Sequence, residues 1–399
     1  MKRTLIIIAV VVVLLGVGVG LYFTFFTSKP GIVVAPPNGG GLPAAGDSSQ
    51  GSTGGATDTT PNNPAPVSAR LVKISQGPVA PGEAVVNKKA VNASSSPDVL
   101  VNYIERQSGN IYSYSVRSGS LTRTSNKTVP GIQSANWLPD GSLAFVRYLS
   151  GADFSTINTY VLSADGSSNT GFFLPQNLSS VAVSSSSVLT LSSGVNGSIA
   201  SLAQTNGTHA SEIFTTPLSA LSLSFAGKGQ YLAYTKPSAS LPGAAFIVDA
   251  KGNFSSIGTP ASGLTAKASP SGKWVIVSSS NDGTLQMSLV NTETKEALSL
   301  PVSTITDKCV WAADDSAVYC GVPMSPPSAS YPDDWYQGAV SFSDRIWKIE
   351  VAGHYAQLVL DFSKETKDSL DATALSIDPL ESTLVFMNKT DGSLWSYSL

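Results

Sequence analysis

The sequence predicts an all-β protein, a seven-bladed β-propeller that follows an N-terminal transmembrane helix and a disordered linker. Two observations carry that expectation: an uncharged apolar run at residues 5–26, and a sevenfold repeat with a period in the low forties from residue 68 onward. Composition agrees with them. Charged residues make up only 13% of the chain, and abundant Ser, Thr, Gly and Asn suit short strands and tight turns better than long solvated helices.

The run LIIIAVVVVLLGVGVGLYFTFF (5–26) carries no charge over 22 residues. At ~1.5 Å rise per residue such a helix spans a hydrocarbon core of roughly 30 Å. Lys2 and Arg3 precede it and only Lys29 follows closely, so the positive-inside rule leaves residues 1–4 as a cytoplasmic stub and exports the rest to the periplasm or cell surface. A cleaved signal peptide would have a shorter apolar stretch ending in small residues. This one is longer and ends in bulky aromatics, as a retained single-pass signal anchor does. Residues 27–67 are dominated by Gly, Pro, Ser, Thr and Asn, with almost nothing to bury, and are expected to form a flexible linker.

From residue 68 to 399 the repeating unit is a short strand, a turn of Pro, Asp, Gly or Ser, a strongly apolar strand, a loop, and a strand with alternating faces. Clear copies are NWLPDGSLAFVRY (136–148), SFAGKGQYLAYTK (224–236), KASPSGKWVIVSS (267–279) and VWAADDSAVYCGV (310–322). The residue before each apolar strand falls at 98, 142, 187, 230, 273, 316 and 382, with intervals of 44, 45, 43, 43, 43 and 66. That period, with about four strands per unit, is the signature of propeller blades. The last repeat ends at the C-terminus without a fourth strand, so RLVKIS (70–75) is expected to complete blade 7 and close the ring, removing a sheet edge.

LPDGSLAF (138–145) and SPSGKWVIV (269–277) resemble the TolB-type, WD-repeat-like propeller repeat, in which Ser-Pro-Asp-Gly precedes a Leu-Ala-Phe strand. The resemblance covers residues 68–399. It implies the fold and, by likeness to TolB itself, a binding platform for envelope proteins. TolB's second domain and soluble periplasmic life have no match in this sequence.

Few residues suggest chemistry. With a net charge of -3 there is no basic surface for nucleic acid. His209 and His354, the two histidines, stand apart from Cys, Asp and Glu at metal-ligand spacing, so no metal site, cofactor or Ser-His-Asp triad is expected. Sugar cleavage in the channel is an alternative, with Asp333, Asp334 and Asp344 as nearby carboxylates. Cys309 and Cys320 flank the turn 313–316 symmetrically. A regular hairpin places them opposite one another, at about the 5.5 Å Cα spacing a disulfide accepts; two buried free thiols are the other possibility.

The interval of 66 marks an insertion, MSPPSASYPDDWYQGAVSFSD (324–344), between the second and third strands of the sixth unit. Propeller strand order puts it on the same face as the expanded loops 149–158 and 236–245. Tyr331, Asp333, Asp334, Trp335, Tyr336 and Phe342 give it the aromatic and polar character of a recognition surface. A plug packed over the channel mouth would use the same residues. The expected role is that of a membrane-anchored binding or scaffolding module for an envelope protein or glycan. Alternatives are a propeller glycosidase or lyase, and a structural envelope component.

Overall fold

A computed structural model describes residues 70–89, 97–125, 129, 131–165, 171–353 and 355–399, together with the backbone pair Val33–Val34. The stub, the run at 5–26, most of the linker and His354 lie outside the described residues. Among those described, no helix is long and apolar enough to cross a membrane.

Seven antiparallel sheets follow one another along the chain, at 84–123, 132–163, 178–216, 221–262, 265–299, 309–361 and 372–398. We call them blades 1 to 7. The seven repeat copies coincide with the hairpins joining each blade's first and second strands. First strands of neighbouring blades touch, 132–137 with 178–183, 178–183 with 221–225, and 309–311 with 372–377 and onward to 84–88, and so line a central channel. The strand Leu71–Lys73 pairs with the third strand of blade 7, with Leu71 opposite Tyr397 and Lys73 opposite Trp395, supplying that blade's fourth strand. Blade 2 has three strands, its outer place reduced to a bridge between Tyr160 and Phe173.

This strand order creates two unlike faces. Turns between first and second strands, and between third and fourth, share one side, the turn face. Loops between second and third strands share the other, the loop face, with the links between blades. The closing strand is antiparallel to Leu394–Ser398, so the chain enters the ring at Arg70 on the turn face.

The core is divided among the blades. Seven apolar clusters sit one at each junction between neighbouring blades, because both faces of a blade must be covered and only adjacent blades can cover them. Second strands consequently read as continuous apolar runs: Ala317–Pro323 and Thr383–Asn388 are buried at every position.

Cys309 and Cys320 stand directly opposite one another and are bonded, with Cα atoms 4.1 Å apart. This is close to the narrow, non-hydrogen-bonded antiparallel pair rather than the wide pair expected from sequence. Both lie in the cluster between blades 5 and 6. Replacing both with Ser is expected to lower unfolding free energy by about 2–3 kcal/mol, chiefly through the lost loop-closure constraint. Urea denaturation would measure it; an unchanged midpoint would contradict a stabilising bond.

One departure from the expected disordered linker is visible. Val33–Val34 pairs in parallel with Tyr355 and Ala356 on the outer edge of blade 6. Residues 32–34 form the one run of branched apolar residues in that stretch, the composition that suits an added edge strand.

Candidate binding sites at the two ends of the channel

The insertion in blade 6 folds over the loop face. A short helix, Asp333–Gln337, ends at Gly338, whose φ of 78° is the left-handed conformation glycine supplies at helix ends. Tyr331, Trp335 and Phe342 are buried and pack with Leu285 and Ile305 of blade 5 and its outgoing link. Asp334 accepts a hydrogen bond from the Ser330 amide at 2.7 Å, and Asp333 accepts one from the Ala239 amide of blade 4. Of the six residues expected to form a recognition surface, Tyr336 alone exposes a large part of its side chain, at 42%. Its hydroxyl donates to Asp307 at 2.7 Å.

A buried ionic network fastens this insertion. Lys308 is fully buried, donates to Asp344 at 2.7 Å and to the Ala372 carbonyl at 2.9 Å, and also pairs with Asp371. Asp371 in turn accepts from the Trp335 indole at 2.9 Å and the Phe342 amide at 3.0 Å. The Lys308 ammonium lies 5.2 Å from the Trp335 ring centre and 5.1 Å from that of Phe342, a cation–π arrangement strengthened by exclusion of water. Burial, and secondarily the neighbouring Asp371 charge, push the Asp344 carboxyl up to about 6 against the opposing pull of Lys308.

Tyr331, Trp335 and Phe342 are therefore a packed underside, the arrangement of the plug alternative rather than of an exposed aromatic surface. The physical reason is Asp371, a partner from the link between blades 6 and 7 that draws Trp335 and Phe342 inward. Asp333, Asp334 and Asp344 do not converge either: the first two hold backbone amides and the third is bound to Lys308.

Exposed apolar groups occur elsewhere on the loop face. Leu149 and Phe154 of blade 2, Val195 of blade 3, Leu218 on the link to blade 4, and Leu241 of blade 4 are all exposed, Phe154 and Leu241 at 67%. They lie at the loop-face ends of blades 2, 3 and 4.

Inside the ring, first strands alternate in character. Leu221 and Leu223 are buried between blades while Ser222 and Ser224 are half-buried, and Ser134, Asn136 and Ser180 repeat the second pattern in blades 2 and 3. A period of two sends one set into the blade junctions and the other to the channel. Glu83, Lys267 and Asp307 interrupt this small polar lining. Burial pulls the Lys267 ammonium below its ordinary pKa, while Asp307 and Glu83 pull it back up. Lys267 is surrounded by protein yet only half-buried, as a side chain in an internal space is, and it donates to the Cys309 carbonyl.

The turn face is concave. One cavity of about 560 Å³ is lined by Leu202, Phe225, Tyr231, Lys267 and Trp311 among others, spanning blades 3 to 6. A second, of about 260 Å³, is bordered by Glu83, Trp137, Trp311 and Ile377 from blades 1, 2, 6 and 7. Trp311 belongs to both, so they are lobes of one channel mouth. Neither Glu83 nor Lys267 carries a repeat signal in the sequence, since charges beside a first strand also occur at Lys308 and Asp371. Lys308 and Asp371 lie in links between blades and carried none.

No family model matches the sequence, and no curated protein matches it. Solved structures do. One is an oligogalacturonate lyase from Vibrio parahaemolyticus, with a TM-score of 0.55 at 10% identity over 82% of this chain and 93% of that one. Another is an oligogalacturonate lyase in complex with manganese, at 0.51 and 10% over 80% and 98%. A third is the β-propeller domain of Swd1 from Myceliophteria thermophila, at 0.50 and 10% over 82% and 99%. The fold is a seven-bladed β-propeller. At such identities the likeness speaks of the fold alone.

Proposed function

We propose that this chain is a membrane-anchored, TolB-type propeller of the cell envelope, held by residues 5–26 and acting as a binding or scaffolding module outside the cytoplasm. The observation that supports it most is the presence of exposed Leu149, Phe154, Val195, Leu218 and Leu241 on one face of consecutive blades, since exposed apolar groups on a rigid scaffold mark contact surfaces. Four of the five are aliphatic, which favours a protein partner over a glycan. Deleting the insertion is a poor test, because the insertion is packed into the fold. The informative comparison is envelope pull-down with the full-length chain and with a Phe154→Asp, Leu241→Asp double variant. A partner is expected to be captured at least tenfold less by the variant, with thermal stability unchanged; an identical set of partners would sink the reading.

Sugar cleavage is the second reading. Two of the similar structures are oligogalacturonate lyases, and Glu83, Lys267 and Asp307 are electrostatically coupled in the channel. Against it, the carboxylates of Asp344 and Asp371 are both locked onto Lys308. Among the described residues no group of three or more His, Cys, Asp or Glu is placed to hold a metal. Appearance of unsaturated ends from oligogalacturonate, followed by ultraviolet absorbance, would favour this reading over the first.

A further inference from the structure

The turn-face mouth presents an unusual acid. Glu83 is 8% exposed, and neither of its carboxylate oxygens has a hydrogen-bond partner among the described residues. The neighbouring Ser376 hydroxyl moderates its charge without completing a hydrogen bond, and Lys267, within electrostatic range, spends its ammonium on the Cys309 carbonyl. A buried carboxylate without donors is costly to retain unless something outside the chain completes it.

The surroundings define what that would be. Glu83 borders the cavity of about 260 Å³, whose other walls include Trp137, Trp311, Val85, Leu138 and Ile377. Both indole N–H groups are already used, Trp137 donating to the Gly82 carbonyl at 3.1 Å and Trp311 to that of Lys267 at 3.4 Å. The rings therefore offer π-surface and apolar contact. Glu83 is the cavity's one charged side chain. A single acid, two indoles and aliphatic walls complement an organic cation on an apolar stem: the stem packs on the rings, and the head supplies the donors Glu83 lacks.

We propose that this lobe of the turn-face mouth binds a primary ammonium group carried on an alkyl chain, with Glu83 as its counter-ion. The site is separate from the loop-face surface and does not depend on it. Two probes share the chemistry: n-butylammonium, and N-acetyl-lysine methylamide as a peptide-borne lysine. Titrating the detergent-solubilised full chain with each at about pH 9, above the raised Glu83 carboxyl and below the ordinary range of an alkylammonium, and following tryptophan fluorescence, is expected to show saturable binding of n-butylammonium. n-Butanol, of similar shape without charge, should bind at least tenfold more weakly. Glu83→Gln should weaken the ammonium at least tenfold without loss of folding. Binding by both probes assigns the site to a partner's lysine, and binding by n-butylammonium alone assigns it to small amines. The proposal is overturned if neither probe binds, if n-butanol matches the ammonium, or if Glu83→Gln binds as the parent does.

Discussion

Glu83→Gln is expected to make the unliganded protein more stable at pH 7, by about 3 kcal/mol. Burial raises the Glu83 carboxyl from 4.5 to about 8, so the folded state prefers the protonated acid while the unfolded chain ionises in the ordinary range. The sign follows from that direction. The favourable contribution is fully present below about pH 4.5 and is lost progressively as pH rises toward 8, because folding must then either take up a proton or bury a bare charge. Gln keeps the shape and never ionises. Urea melts of the two proteins should therefore coincide near pH 4 and separate as pH rises, with the variant the more stable. Equal stability at both ends of that range would mean the carboxylate is hydrated or paired in solution. A residue that weakens its own fold at neutral pH is the kind expected where binding, rather than packing, sets the side chain.

The opposite sign is expected at Lys308. Lys308→Met removes the one cation between Asp344 and Asp371, all three side chains being shut off from solvent. Leaving buried charges unpaired costs about 3–5 kcal/mol. The loss should be largest near neutral pH and smaller near pH 5, since Asp344 already titrates at about 6 and can protonate. The effect is also local. Without Lys308, Asp371 loses its buried ion-pair partner and keeps only the longer-range pull of Lys389, so its hold on the Trp335 indole and the Phe342 amide weakens. Limited proteolysis should then cut between residues 324 and 343 in the variant while the intact chain resists. A triple variant, Lys308→Met with Asp344→Asn and Asp371→Asn, should recover most of the stability, because neutralising every member removes the unpaired charges together. Failure of that rescue would show that the network is needed for packing geometry as well as charge.

The two sites differ in how readable they were. Blade number and hairpin positions could be read because each second strand is a local apolar run preceded by a turn, and a fixed period repeats both. The Cys309–Cys320 pairing was equally local, set by symmetry about a four-residue turn. The insertion was not local. Tyr331, Trp335 and Phe342 have the composition of a binding surface, and the partner that buries two of them, Asp371, comes from another blade link with no repeat signal of its own. Glu83 shows the same limit in reverse. It sits in a Gly-Glu-Ala-Val stretch without a repeat signal, and its surroundings are supplied by blades 2, 6 and 7 as well as its own.

The closing strand has a mechanical meaning. Leu71–Lys73 lies alongside Leu394–Ser398 in antiparallel register, with the chain arriving at Arg70 on the turn face. If residues 5–26 anchor the chain and a partner grips the loop face, tension between them pulls this strand along its own length. Its ladder bonds, and the Arg70 side-chain bond to the Ser398 carbonyl at 3.0 Å, are then loaded together in shear rather than peeled one after another. Three residues of pairing placed this way resist a pull far better than the same three opened from one end, so the ring is latched along the line on which an envelope tether would strain it.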